Sequence, residues 1–168
     1  YALIAYQTAF LKTYYKEDFI AATMSTELTN TSKLREFVGE IKRLNIEIIK
    51  PSLNKSYAEF KALNGKIYYG LGAIKNVGFE AISNIIAERE KNGLYKSFNN
   101  FIKRVNPKDV NKLQLEGLTK AGVFDEFDRD RNKILTSIPK IIQQIKNINH
   151  DKDNNQSSLF ENNENYEN

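Results

Sequence analysis

Apolar residues recur at three- and four-residue intervals along most of this chain, which is the period of amphipathic α-helices. One clear case is the stripe formed by Leu34, Phe37 and Ile41, which follows capping side chains at residues 30–32. Similar stripes predict helices over residues 3–15, 17–28, 34–44, 78–92, 98–105, 111–121 and 130–148. Pro139 is expected to break or kink the last of these helices.

A small β element is expected to interrupt the helices. Residues 46–51 favour a short strand that ends at a proline, and residues 57–62 and 66–69 flank Asn64-Gly65, a strong hairpin signal. The pattern therefore predicts a mainly α fold with a small β-hairpin. Glycines at 93 and 122 stand where helix C-termini favour a positive φ.

The last twenty residues, 149–168, are polar and acidic, and their composition predicts a disordered tail. This segment contains five acidic residues and one lysine, so its net charge is −4. Because the net charge of the whole chain is +4, residues 1–148 carry +8. A basic body favours a polyanionic partner, although a coding bias towards lysine would give the same charge.

Composition excludes several kinds of chemistry. The chain has no cysteine and a single histidine, His150, so disulfides, thiolate catalysis, cysteine zinc sites and histidine metal clusters are not expected. No apolar run approaches the roughly 20 residues that span a bilayer, and no signal peptide opens the chain. We therefore expect a soluble cytoplasmic protein without a membrane partner, and the missing initiator methionine suggests a piece of a longer protein.

Two glycine turns are candidate phosphate contacts. Residues 70–82 place a tight turn before an amphipathic helix, where backbone amides and a lysine could meet an anionic oxygen. This layout resembles a helix-hairpin-helix element, with asparagine in the position of its first glycine; asparagine tolerates left-handed backbone well. The candidate DNA contacts in this turn are Lys75, Asn76, Val77 and Gly78.

A second turn, within residues 115–125, repeats the arrangement with Lys120 beside Gly122. Two such elements would clasp one duplex, whereas the alternative is that both glycines are ordinary helix caps. The acidic residues between 125 and 130 precede a helix and are expected to cap it rather than to bind metal. Gly70 and Gly72 lack the third glycine of a nucleotide fingerprint.

A short motif lies in the acidic tail. A glutamine, a two-residue spacer and two large apolar side chains form a linear motif that resembles the pentapeptide by which bacterial replication proteins bind the sliding clamp. The candidate clamp-binding residues are Gln156, Ser157, Ser158, Leu159 and Phe160.

Segments 1–12, 70–78, 110–112 and 118–125 together resemble the alpha subunit of bacterial DNA polymerase III, in the same order. The resemblance implies that residues 1–50 end the fingers region, 51–70 form a short β connection, 71–148 form a tandem helix-hairpin-helix and clamp-binding domain, and 149–168 form a disordered tail with the clamp motif.

The resemblance also implies that the parent protein is a DNA-directed DNA polymerase whose Mg²⁺ and catalytic aspartates lie in the palm, outside this chain. No catalytic residue, metal ligand or cofactor is expected here. The implied partners are double-stranded DNA, the sliding clamp and, through regions outside this chain, other replicase subunits. Two alternatives stay open: a stand-alone DNA-binding module of a repair protein, and the error-prone paralogue of the polymerase.

Overall fold

The computed structural model describes the backbone of residues 1–161 and the side chains of residues 1–152. Most of this part is helical, with a small sheet between the third and fourth helices. In chain order the elements are α1 (Ala2–Tyr14), α2 (Lys16–Thr26), α3 (Thr31–Arg43), β1 (Glu47–Ile49), β2 (Lys61–Leu63), β3 (Lys66–Tyr68), α4 (Phe79–Asn92), α5 (Phe98–Arg104), α6 (Lys112–Lys120) and α7 (Arg131–Glu161), with 3-10 turns at Leu71–Ala73 and Pro107–Asp109. The expected fold class, mainly α with a small β element, is confirmed.

Asparagine or serine side chains cap the start of three of the helices. Asn30, Ser97 and Asn111 each accept a hydrogen bond from the backbone amide three residues later, at the start of α3, α5 and α6 respectively. These bonds satisfy amides that have no acceptor within the helix. The start of α4 differs, because Gly78 stands at its N-cap and has no side chain to serve as a cap.

The sheet has three strands in the order β1-β3-β2. β2 and β3 form the expected antiparallel hairpin, and both turn residues have positive φ, 53° at Asn64 and 71° at Gly65, as a type I′ turn requires. β1 joins the other side of β3 in parallel, and an ion pair of 2.9 Å links Glu47 to Lys66 at the end of this pairing. This parallel partner was not predicted from the sequence.

The buried apolar side chains form two separate cores. The first joins α2, α3 and the sheet through residues such as Met24, Ile41 and Ile67. The second joins α4, α5, α6 and α7, and it also takes in Leu53 from the stretch between β1 and β2. α1 buries none of its side chains. Within the described residues, no helix has the length and apolarity needed to cross a bilayer.

α7 is longer than the sequence predicted. It continues through Pro139 and past the expected end at residue 148 to Glu161. Proline removes one backbone donor, but the flanking isoleucines are buried in the second core, and this packing holds both halves of the helix in place. The buried residues along α7 are Ile134, Ile138, Ile141 and Ile145. Residues 162–168 lie outside the described part of the chain.

Gly70, at the end of the sheet, offers a test of backbone packing. A Cβ atom there would lie 2.7 Å from the backbone of both Glu59 and Phe60, whereas a Cβ at Gly39 in α3 would meet nothing within 4 Å. We expect Gly70→Ala to lower the free energy of unfolding by about 1–3 kcal/mol through overpacking. Gly39→Ala, the matched control, should raise it by up to about 1 kcal/mol, because alanine favours a helix interior.

Urea unfolding of both variants, followed by circular dichroism, measures these changes. Equal stability of the Gly70 variant and the parent chain would show that the sheet end is not packed as described.

Candidate nucleic-acid interface

The first turn has a defined backbone geometry. The amide of Val77 donates to the carbonyl of Ile74 at 3.1 Å, and Asn76 between them has a φ of 66°. The φ of Lys75 is not positive, whereas that of Asn76 is. This combination is typical of a type II turn, in which the asparagine stands at the position that needs a left-handed backbone. Asn76 therefore has the left-handed conformation that the usual glycine would supply, and its contact with DNA stays a prediction.

Close backbone contact with α6 holds this turn in place. A Cβ at Gly117 would lie 2.6 Å from the carbonyl oxygen of Lys75, so the missing side chain lets helix and turn touch. Val77 is buried in the second core on the inner side of the turn. The side chains of Lys75 and Asn76 remain exposed to solvent. No local pattern in the sequence points to the role of Gly117.

Behind the turn, the N-terminus of α4 is open. The amide of Ile82 donates to the carbonyl of Gly78 at 3.0 Å, so the amides that precede it in the first turn have no acceptor within the helix. Gly78 has a φ of −72°, and a Cβ there would meet no atom closer than 3.9 Å. Neither conformation nor packing requires glycine at this position, and its effect is to leave the amides uncovered. Glu80 in the same turn opposes an anion, whereas Lys75 attracts one.

The second turn is built differently. Gly122 has a φ of 82°, its amide donates to the carbonyl of Thr119, and the amide of Val123 donates to that of Leu118. This pair of bonds is a Schellman motif, the usual end of a helix. The backbone amide of Gly122 is therefore already bonded within the protein.

An ion pair covers this second turn. Arg131 donates from Nε to Asp125 at 2.9 Å and from Nη1 to the carbonyl of Lys120 at 3.1 Å. The arginine holds the pKa of the Asp125 carboxyl below its ordinary value. A Cβ at Gly122 would lie 2.5 Å from this arginine. The side chain of Lys120 remains accessible to a ligand at this turn. It is 66% exposed, and its Nζ lies 4.0 Å from a carboxylate oxygen of Glu116.

The nearby acidic side chains make hydrogen bonds within the protein, and Asp130 provides the expected helix cap. Asp130 accepts from the amide of Lys133 and caps α7, and Asp128 accepts from the amide of Asp130, which lowers the pKa of Asp128. Glu126 accepts bonds from residues near β1. Within the described residues, no group of three or more His, Cys, Asp or Glu side chains could hold a metal ion. These carboxylates do not fit the magnesium site of a polymerase, and no catalytic step is assigned to them.

The segment 156–160, which carries the clamp motif, lies in the last part of α7. Its side chains are outside the described residues, so its role as a clamp contact stays a prediction.

A family model described as the helix-hairpin-helix motif matches residues 45–134, more than half of the chain. The match covers both turns and the helices α4, α5 and α6. The chain belongs to the helix-hairpin-helix family.

The helix-hairpin-helix chain is also similar to much longer curated proteins. It is 42% identical over 160 residues to the DNA polymerase III subunit alpha of Borreliella burgdorferi, covering 95% of this chain and 14% of that protein. It is 41% identical over 164 residues to the same subunit of Campylobacter jejuni, with the same shares covered. A Helicobacter pylori subunit is 43% identical over 150 residues, covering 84% and 12%. The resemblance to this subunit is confirmed, and the chain spans about one seventh of the first two relatives.

The conformation of Asn76 gives a test of the first turn. Asn76→Gly should leave the free energy of unfolding within about 1 kcal/mol of the parent value, because glycine adopts positive φ readily. Asn76→Val should lower it by about 1–3 kcal/mol, because a β-branched residue is strained there. Denaturant unfolding of the two variants is the measurement, and a valine variant as stable as the glycine variant would contradict the type II turn.

Proposed function

We propose that this chain binds double-stranded DNA without regard to sequence, as the part of a replicative DNA polymerase that grips newly made duplex. The observation that carries the proposal is the open N-terminus of α4 behind the turn of Lys75 and Asn76. Amides at a helix start donate to phosphate oxygens, and phosphates are the same at every base pair. Contacts of this kind give a grip that is indifferent to sequence.

The second turn contributes charge rather than backbone amides. Lys120 extends from the end of α6, the helix that touches Lys75 through Gly117. Its weak contact with Glu116, at 4.0 Å in an exposed position, costs little to break. A duplex bound at the first turn would place a neighbouring phosphate within reach of this side chain.

The length of the similarity favours a polymerase over a stand-alone repair module. It covers 95% of the chain, including α1, α2 and α3, which lie outside the residues that the family model matches. The parent protein would be a magnesium-dependent DNA-directed DNA polymerase whose metal site and contacts with other replicase subunits lie elsewhere in its length. Its location would be the cytoplasm, where bacterial chromosomes are copied.

The second part of the proposal is attachment to a sliding clamp through residues 156–160. Support comes from the sequence, in which one polar and two apolar anchors lie between polar flanks. Two modest attachments, one to DNA and one to a ring around the same DNA, raise the residence time far beyond either alone because each keeps the other partner nearby. An intact motif also favours the replicative enzyme over the error-prone paralogue.

Charge reversal tests the DNA contact. Lys75→Glu with Lys120→Glu should weaken duplex binding equally for unrelated sequences and reduce the slope of log affinity against log salt by about 0.9 for each lost phosphate contact. Lys12→Glu with Lys42→Glu changes the net charge by the same amount on exposed positions of α1 and α3, and serves as the matched control. Fluorescence anisotropy with a labelled duplex at several salt concentrations measures both.

The control pair should keep the parent slope and lose affinity only through net charge. If both pairs of substitutions have the same effect, the two turns are structural and the DNA contact lies elsewhere.

Peptide binding tests the clamp contact. A peptide of residues 154–162 should bind the sliding clamp, and replacing Leu159 and Phe160 by alanine should abolish binding, because burying each side chain contributes about 1.5–3 kcal/mol. The same double substitution in the full chain should leave duplex affinity and melting temperature unchanged. A lower melting temperature with clamp binding intact would mean that these side chains pack on the chain's own core.

A further inference from the structure

The stretch between β1 and β2 is hydrogen-bonded to the chain beside both glycine turns. We call residues 52–58 the connecting segment. It lies between the two cores: Leu53 is fully buried in the second core, and Phe60, just beyond the segment, is buried in the first. Its hydrogen bonds to the rest of the chain go to Arg89 of α4, to Tyr95, to residues just before the first turn and to residues at the end of the second.

The end of the connecting segment holds the approach to the first turn. The carbonyl of Tyr57 accepts from the amide of Leu71 at 2.8 Å, and that of Ala58 accepts from the amide of Gly72 at 2.9 Å. A Cβ at Gly72 would lie 2.8 Å from the same Ala58 carbonyl, so the two backbones are in direct contact. The 3-10 turn that leads into residues 74–77 is thereby fixed.

The beginning of the connecting segment holds the chain after the second turn. The amide of Leu53 donates to the carbonyl of Val123 at 3.1 Å. Glu126 accepts from the hydroxyl of Ser52 and from the amide of Asn54. Asn54 also exchanges two bonds of 2.8 Å with the backbone of Tyr95. One short segment therefore bonds to the chain beside both turns.

Arg89 of α4 fixes the middle of the connecting segment. Its Nη1 donates to the carbonyls of Leu53 at 2.8 Å and Ser56 at 2.6 Å, and its guanidinium lies 5.3 Å from the ring of Tyr57. The side chain is 5% exposed, and no ion pair with a carboxylate is found for it among the described residues. A buried cation without a carboxylate partner is costly, so its bonds to these carbonyls are what keep it there.

We propose that the connecting segment, held by Arg89, acts with the contact between Gly117 and Lys75 to fix the separation of the two glycine turns, and that Arg89 is a positioning residue for simultaneous binding of two phosphates of one duplex. Two contacts on a rigid body are made together when their separation matches that of the phosphates, and one is lost when the separation fluctuates. This inference rests on the proposed binding of duplex DNA at both turns.

The salt dependence of binding separates positioning from stability. The slope of log affinity against log salt counts phosphates neutralised together, and a folded chain of lower stability keeps that count. Arg89→Met should reduce the slope by about 0.9 although Lys75 and Lys120 are still present. In that background, adding Lys120→Ala should leave the slope unchanged, whereas in the parent chain it should reduce the slope by about 0.9.

Two further variants complete the experiment, with anisotropy for binding and circular dichroism for helical content. Arg35→Met removes the same charge from an exposed position on α3 and should keep the parent slope. Asn54→Ala is neutral in charge, loosens the beginning of the connecting segment and should reduce the slope as Arg89→Met does. It decides the matter if the Arg89 variant does not fold.

The outcomes are distinguishable. A parent chain that binds no duplex at all overturns the proposed function itself. If the parent binds but the folded Arg89 and Asn54 variants keep both the parent slope and its response to Lys120→Ala, then Arg89 is structural and the positioning role is wrong.

Discussion

Direct contact between backbones at three glycines is the constraint on which the candidate DNA interface depends. Gly70, Gly72 and Gly117 all lack positive φ, yet a Cβ at each would come within 3 Å of a backbone atom. Glycine is needed at these positions for proximity rather than for conformation. Gly70 and Gly72 let the chain before the first turn pack against residues 58–60, and Gly117 lets the turn itself pack against α6. With the turn held from both sides, the open start of α4 is presented in one orientation.

This constraint also explains which parts of the fold could be predicted from the sequence. Helix starts at Asn30 and Asn111, and the turn at Asn64-Gly65, are encoded by neighbouring residues, and the structure has them where expected. The parallel pairing of β1 with β3 and the contact of Gly117 with Lys75 join residues far apart in the chain. No local pattern specifies such partners, so the sequence predicted the elements but not how the turn is held.

The residues of the candidate site likewise include some that could be predicted from the sequence and some that could not. Asn76 was predictable because a left-handed position favours asparagine wherever it occurs. Gly122 has the predicted positive φ. The arginine that covers it, Arg131, lies at the start of a later helix, so this contact could not be inferred from the turn itself. Arg89 was missed, although it follows Ile82, Ile85 and Ile86 at helical spacing and so lies on the buried stripe of α4. A charged residue at a core position of an otherwise apolar stripe is the signal that could have identified it.

A grip made of a few phosphate contacts is necessarily weak and salt-sensitive, because each contact is with a charge that water and ions also solvate. A rigid site strengthens such contacts, because the conformational entropy of the contacting groups is lost on folding rather than on binding. The charges of the chain bear on the second attachment proposed above. Residues 149–168 carry −4, so DNA repels them while the body with +8 is attracted to it. If the motif at residues 156–160 binds the sliding clamp as proposed, this repulsion would keep it off the duplex. The opposite charges of the body and the tail would therefore be compatible with the two attachments proposed above.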